Sequence, residues 1–321
     1  MTVSQSTGGK LSEPDLNRSK DDLDPHKKLR LSIKKFLGIK EINLLDSIPR
    51  KWLRLGDLVL FPESSFTGNK WSTVVTKEGF WESIAEALST NRIGRQAEID
   101  SGVMRKSNAE MLLGENGWVE HKEHGVTFCF DVTKVMFSAG NISERGYTGK
   151  LDAEGETIVD LFCGIGYYSL PLLVNAKVEH IHACEINPDS IEGLRAGLKK
   201  NNVEHRCTIH EGDNQVTALN LEGIADRVLL GLLPSSEDAW SIATRCLKNS
   251  GGKLHLHMNV VERSNLDVEK WAQETSEKIK NLARVNDRNW EIKIEEIRKV
   301  KWYAPHVRHC VLILCAHQIT S

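Results

Sequence analysis

An α/β fold is predicted: a mostly parallel, Rossmann-like sheet ending in an antiparallel strand, preceded by a small α+β domain. Three observations predict it. From Gly149 onward, short apolar runs alternate with helix-length segments; the first run leads into the turn Asp160-Leu-Phe-Cys-Gly-Ile-Gly166; and two strand-like runs close the chain with only Tyr303-Ala304-Pro305 between them. Parallel strands need helical crossovers, so the alternation argues a parallel sheet covered on both faces, whereas two abutting strands argue an antiparallel pair.

The elements follow in order. Residues 1–25 are rich in Ser, Asp, Gly and Lys with almost no large apolar side chains, too little to offset the entropy of ordering, so they are expected to be a disordered tail. Residues 26–149 make the small α+β domain. Its first stretch, His26 to Asp57, holds nine basic residues (Lys27, Lys28, Arg30, Lys34, Lys35, Lys40, Arg50, Lys51, Arg54) against three acidic ones, which reads either as a solvated helix face or as a phosphate-contacting patch. A strand is expected at Leu58–Phe61, a helix at Gly79–Thr90, and strands near Val119–His121 and Val126–Asp131. Residues 150–321 make the sheet domain. Its strands are expected at Ile158–Phe162, His180–Cys184, Cys207–His210, Arg227–Gly231 and Lys253–Asn259, with a helix at Ser236–Leu247, a long helix near 265–285, and the closing runs Trp290–Val300 and His306–His317.

Composition narrows the function classes. The 321 residues are 40% hydrophobic and 27% charged with a net charge of −2, so there is room for a sizeable core and no global basic field; any nucleic-acid contact must be local. Seven cysteines are scattered without zinc-like spacing and read as reduced thiols of a cytoplasmic protein. No membrane segment or secretory leader is expected. His255 and His257 share a strand face with Asn259, but two imidazoles without a third acid or thiol are not a metal site, and none is expected.

The chemistry concentrates at three strand ends. In the Asp160–Gly166 turn, Gly164 and Gly166 let the backbone bend tightly and approach a ligand. Glu185, in Ala183-Cys-Glu-Ile-Asn-Pro188, ends the next strand about 20 positions on, where a carboxylate can accept both hydroxyls of a ribose. Asp213 and Asn214 close the third strand, where an acid can meet an adenine amino group, although an acid there is as often only a helix N-cap. All three fall on the carboxyl edge of one sheet, the usual place for nucleotide-type ligands. These residues alone leave a dinucleotide or S-adenosylmethionine open.

Longer strings narrow this. FDVTKVMFSAGNISER (130–145), VDLFCGIGYYSLP, ACEINP, EGDNQV, RVLLGLLPSSEDAW and VKWYAPHVRH resemble the family shared by the tRNA guanine-37 N1-methyltransferases and the wybutosine-pathway aminocarboxypropyltransferases, over roughly Leu58 to Cys315. The resemblance implies a class I S-adenosylmethionine-dependent methyltransferase-like fold with S-adenosylmethionine as group donor, held by Ser138, Arg145, Glu185, Asp213 and Asn214 beside the Gly164/Gly166 loop. Ser138 and Arg145 are implied near the methionine end; the branch often has lysine where Arg145 stands. The N1-methyltransferases carry Asn-Leu-Pro after the fourth strand, whereas this chain has Gly231-Leu-Leu-Pro-Ser-Ser-Glu237, which resembles the aminocarboxypropyltransferases. Gly231 offers no amide to a base edge; Ser235 and Ser236 read as caps of the next helix.

The implied reaction moves the 3-amino-3-carboxypropyl group of S-adenosylmethionine to 4-demethylwyosine at position 37 of tRNA(Phe), releasing 5′-methylthioadenosine. No catalytic residue is assigned. The basic stretch, together with Arg92, Arg95, Arg105, Lys106, Trp52 and Trp81, supplies candidates for tRNA contact. Family members often carry a further N-terminal domain, so a fused segment or partner is expected to add tRNA recognition. The competing readings are a tRNA guanine-37 N1-methyltransferase, a non-catalytic RNA-binding subunit, and a metabolite methyltransferase.

Overall fold

The computed structural model describes residues 24–38, 42–98, 100, 102, 104–264 and 266–319. Residues 1–23 of the expected tail lie outside them. Asp24 and Pro25 begin the first helix instead: the Asp24 carboxylate accepts from the His26 amide at 3.3 Å, and Pro25 occupies the first turn, where its missing N–H costs nothing.

That helix, α1 (Pro25–Leu37), buries Leu29, Ile33 and Leu37 at four-residue spacing and turns its lysines outward. Then come β1 (Leu53–Leu55), β2 (Leu58–Phe61), α2 (Asn69–Ser72), α3 (Phe80–Leu88), β3 (Arg92–Arg95) and β4 (Glu110–Leu113). The four strands form a sheet in sequence order, with β2 and β3 parallel. All of β2 is buried because successive side chains enter different cores: Val59 and Phe61 meet α1 and α3, while Leu58 and Leu60 meet the apolar layer of the larger body.

A hairpin follows, β5 (Trp118–Glu123) and β6 (Val126–Asp131), and then α4 (Ile142–Thr148). The sequence reading assigned these to the small domain. Physically they belong to the larger body: Phe128 and Phe130 share a core with Ile165 and Leu194, and a Cβ on Gly193 would come within 2.5 Å of the Cys129 carbonyl.

The larger body comprises β7 (Thr157–Asp160), α5 (Ser169–Val174), β8 (His180–Glu185), α6 (Pro188–Lys200), β9 (Cys207–Glu211), α7 (Asn214–Thr217), β10 (Arg227–Leu230), α8 (Trp240–Cys246), β11 (Gly251–Val261), α9 (Asp267–Val285), β12 (Trp290–Ala304) and β13 (Val307–Gln318). Its seven strands run in the order β12-β13-β11-β10-β7-β8-β9. The five from β9 to β11 are parallel, and β13 inserts between β11 and β12, antiparallel to both. The expected antiparallel final strand is therefore present, in the interior of the sheet. Strand order reverses between β7 and β10, which opens a crevice at their carboxyl ends. Five of the seven cysteines are buried and all seven are free thiols. Among the described residues no helix is long and apolar enough to cross a membrane.

Candidate binding site at the carboxyl edge of the sheet

The turn after β7 is built on two left-handed glycines, Gly164 at φ +56° and Gly166 at φ +89°. A side chain at either would also collide: a Cβ on Gly164 would stand 2.6 Å from the Tyr167 ring, and one on Gly166 2.7 Å from Leu170. Both positions need glycine for backbone and for space. The loop is tied directly to Glu185. One carboxylate oxygen of Glu185 accepts from the Gly164 amide at 2.8 Å, the other from the amides of Ile186 at 3.1 Å and Asn187 at 2.8 Å. Burial pushes this carboxyl above its usual range even though the three amides pull the other way. A carboxylate offers about four lone-pair sites, so three amides leave one for a ligand hydroxyl.

Asp160, at the end of β7, is wholly buried, and burial pushes it up to about 7 despite bonds from the Ser169 hydroxyl at 2.7 Å and the Phe162 amide at 3.3 Å. Asp213 caps α7, accepting from the Gln215 amide at 2.9 Å, and Asn214 donates to the Leu161 carbonyl at 2.8 Å. Asp213, the cap of α7, remains exposed on the edge beside Glu185.

Ser138 and Arg145 lie where the segment before β7 crosses the glycine loop. Tyr167 anchors this crossing by donating from its hydroxyl to the Met136 carbonyl. Arg145 itself is committed inward. It is 1% exposed, forms a two-point pair with Glu123 at 2.6 and 3.0 Å, donates to the Ser138 carbonyl at 2.9 Å, and lies 4.6 Å from the centre of the Phe137 ring. Burial raises the Glu123 carboxyl, but His121 and Arg145 outweigh it, leaving the group below its usual range. Arg145 therefore fixes the wall that presents Ser138, and its guanidinium is spent on that task.

The loop after β10 explains Gly231. A Cβ there would stand 2.9 Å from Cε2 of Tyr168, and that ring is held by His257, whose Nδ1 lies 3.4 Å from the Tyr168 hydroxyl. Ser235 and Ser236 do serve the following helical turn: Ser235 Oγ accepts from the Glu237 amide at 3.1 Å and Ser236 Oγ from the Trp240 indole at 3.2 Å.

Sequence reasoning missed how the small domain reaches this edge. The Met104 carbonyl accepts from Asn187 Nδ2 at 2.9 Å, at the end of β8, while Arg105 donates to the Leu233 carbonyl at 2.7 Å, beyond β10. Residues 104–105 thus span the mouth of the β7 turn. The other candidate contacts divide. Arg92 pairs with Asp57, Arg95 with Glu110, and Arg54 donates to carbonyls at the end of α3, so all three build the domain. Trp81 packs against Phe66 and Phe80 at the core, and Trp52 lies between His26, tilted against it, and Phe61, met edge-on. Lys27, Lys34, Lys35, Arg50, Lys51 and Lys106 stay exposed; Lys40 lies outside the described residues. His255 takes a bond from Arg227 and His257 pairs with His309, and among the described residues no cluster has the makings of a metal site.

Comparison with known proteins agrees with this geometry. The family described as the TRM5/TYW2 methyltransferase domain matches residues 119–287, and the TYW2 N-terminal domain matches residues 34–117. The second boundary coincides with the physical seam before β5. An Arabidopsis thaliana protein named tRNA wybutosine-synthesizing protein 2/3/4 is 44% identical over 94% of this chain, which spans 29% of that relative's length. A Danio rerio tRNA wybutosine-synthesizing protein 2 homolog is 41% identical over 83% of this chain and 71% of its own. Among solved structures, P. horikoshii TYW2 in complex with MeSAdo matches 92% of this chain and all of its own at 28% identity, with a TM-score of 0.71. Matched in both of its parts, and sharing most of a relative's length at this identity, the chain belongs to the tRNA wybutosine-synthesizing protein 2 branch of the TRM5/TYW2 family.

Proposed function

We propose that the protein is an S-adenosylmethionine-dependent aminocarboxypropyltransferase acting on tRNA in wybutosine synthesis. Its acceptor in this reading is 4-demethylwyosine at position 37 of tRNA(Phe), its small product 5′-methylthioadenosine, and its place the cytoplasm. The observation that carries the reading is the Gly231–Tyr168 contact: the space that an asparagine of the N1-methyltransferases would need is filled by a ring, so the base edge is met by other groups. The names of the relatives, and the P. horikoshii complex with MeSAdo, support the same branch.

The site fits the donor. Glu185 keeps an acceptor position for a ribose hydroxyl, Asp213 is assigned to the adenine side, and the left-handed Gly164–Gly166 turn lies against Glu185. When bound, S-adenosylmethionine supplies a sulfonium that activates its neighbouring carbons. Transfer forms a C–C bond from the γ-carbon to a ring carbon of the base and breaks the γ-carbon–sulfur bond, whose electron pair neutralises sulfur; the proton displaced from the ring carbon passes to solvent. No leaving-group acid is required, so the protein's contribution is orientation. Glu185 and the glycine turn hold the nucleoside, Tyr167 fixes the segment bearing Ser138, and residues 104–105 cover the mouth.

The exposed basic face of α1 and Lys106 are the proposed tRNA contacts, and a fused segment or partner adds recognition, since Arg92 and Arg95 are already paired within the domain. Mass spectrometry of the products after incubation with S-adenosylmethionine and tRNA(Phe) carrying the tricyclic precursor tests the reading. Methylthioadenosine with an aminocarboxypropyl gain on the tRNA is expected; S-adenosylhomocysteine with a methylated base would overturn it.

A further inference from the structure

At the methionine side of the site, one half-buried cation has no acid among the described residues to neutralise it. Lys301, on β12, donates to Ser138 Oγ at 3.3 Å, and its ammonium lies where a Cβ on Gly140 would come within 2.7 Å. Its neighbours on the same strand are paired, Arg298 with Glu144 and Lys299 with Glu262. Among the described residues Lys301 forms no ion pair, and the charge it feels is the cation of Arg145; burial first, and Arg145 second, push its pKa down.

The surroundings of Lys301 are also short of partners. Lys301 faces His309 across β12 and β13, and His309 faces Asn259 across β13 and β11, so the three form one row on one face of the sheet. His309 is wholly buried with Nδ1 unpartnered, and the amide oxygens of Asn259 and of Asn141, three residues after Ser138, are buried and unpartnered too. Buried polar atoms are ordinarily satisfied, so several orphans beside an uncompensated ammonium mark a place that a polar ligand completes. On its far side the row runs through His257 to Tyr168, next to the glycine turn, with His309 Nε2 3.1 Å from His257 Nδ1.

We propose that Lys301, together with the Ser138 hydroxyl, binds the carboxylate of the donor's amino-acid arm. The inference rests on the reading of S-adenosylmethionine as donor and adds the group that holds the arm to be transferred. Arg145, the other cation beside Ser138, is already paired with Glu123. A carboxylate rather than an RNA phosphate is favoured because Ser138 sits on the segment that Tyr167 clamps to the glycine turn, whereas the outer end of the same β-hairpin, Trp302 and Tyr303, is what faces solvent.

The test is calorimetric binding of three ligands to the intact chain: S-adenosylmethionine, S-adenosylhomocysteine, and 5′-methylthioadenosine, which lacks the carboxylate. Lys301→Met is expected to weaken the first two by about ten- to a hundredfold, the range of a charge-assisted hydrogen bond, and to change methylthioadenosine by less than about twofold. Lys301→Arg is expected to recover most of the loss. Equal weakening of all three ligands would show a structural role and overturn the proposal, as would unchanged donor binding with a weakened, less salt-dependent association with tRNA. If the wild-type chain binds none of the three, the donor reading itself fails before any variant is compared.

Discussion

Gly231 offers the sharpest test of the packing behind the site. In Gly231→Ala the new methyl would stand 2.9 Å from Cε2 and 3.2 Å from Cδ2 of Tyr168. The ring cannot retreat: it is 7% exposed, lies 4.8 Å from the His257 ring, and is bonded to it through its hydroxyl. Relieving such overlap in a packed interior costs about 1–3 kcal/mol. In a body of this size each kcal/mol lowers Tm by about 2–4 °C, so the variant should melt roughly 2–12 °C below the wild type. Truncating the ring removes the clash, so Gly231→Ala combined with Tyr168→Ala should be less destabilised than the sum of the single changes by about 1–3 kcal/mol. Thermal and urea denaturation of the four proteins, followed by circular dichroism, measure the two quantities in turn. Wild-type stability of Gly231→Ala, or additivity within about 0.5 kcal/mol, would refute the argument that glycine is required there by the tyrosine.

Three further outcomes are expected. Arg145→Ala leaves Glu123 buried without its main partner and should cost about 3–5 kcal/mol, with Arg145→Lys milder; donor affinity lost at unchanged urea stability would instead make Arg145 a direct ligand. Glu185→Gln places an amide donor against backbone amides and removes an acceptor from the ribose position, so S-adenosylmethionine should bind about tenfold or more weakly by calorimetry; affinity within a factor of two would remove Glu185 from the site. For Asp160 the sign runs opposite to that of an ion-paired acid. The unfolded chain releases this proton near 3.8 while the folded chain keeps it to about 7, so the folded state binds the extra proton in that window and stability falls as pH rises through it. The stability of Asp160→Asn relative to wild type should therefore improve between about pH 4 and 7 and level off above; a pH-independent difference would contradict the burial argument.

The sheet was legible because its strands are apolar runs bounded by turns and helices, a pattern set by burial on two faces. The glycine turn, Glu185 and Asp213 were legible because each ends a strand, and strand ends in such a sheet converge. The small domain was less so. Arg92–Arg95 reads Arg-Ile-Gly-Arg, with no alternation to mark a strand, and becomes one through pairing with β2 and β4. The pairing of Arg145 with Glu123 was not legible, because Glu123 sits on a hairpin that nothing in the local sequence places beside Arg145. Lys301 and Ser138 are 163 positions apart; their meeting depends on the register of β12 against β13, with its shifts near Lys301, which no local pattern encodes. The string containing Lys301 was recognised as a motif, but the contact of Lys301 with Ser138 was not.

The position of β13 has a consequence for how the chain reaches this structure. The last strand in sequence lies inside the sheet, with eleven residue pairs to β11 on one side and β12 on the other. Until Val307–Gln318 arrives, β11 presents a long open edge and Leu254 and Leu256 lack their partners, while β12 has no strand to pair with. During synthesis the sheet therefore stays unfinished until Val307–Gln318 has left the ribosome, and an edge of that length is a template for pairing with another chain. Loss of Val307–Gln318 would not trim the fold but split the sheet, taking with it the row in which Lys301, His309 and Asn259 meet.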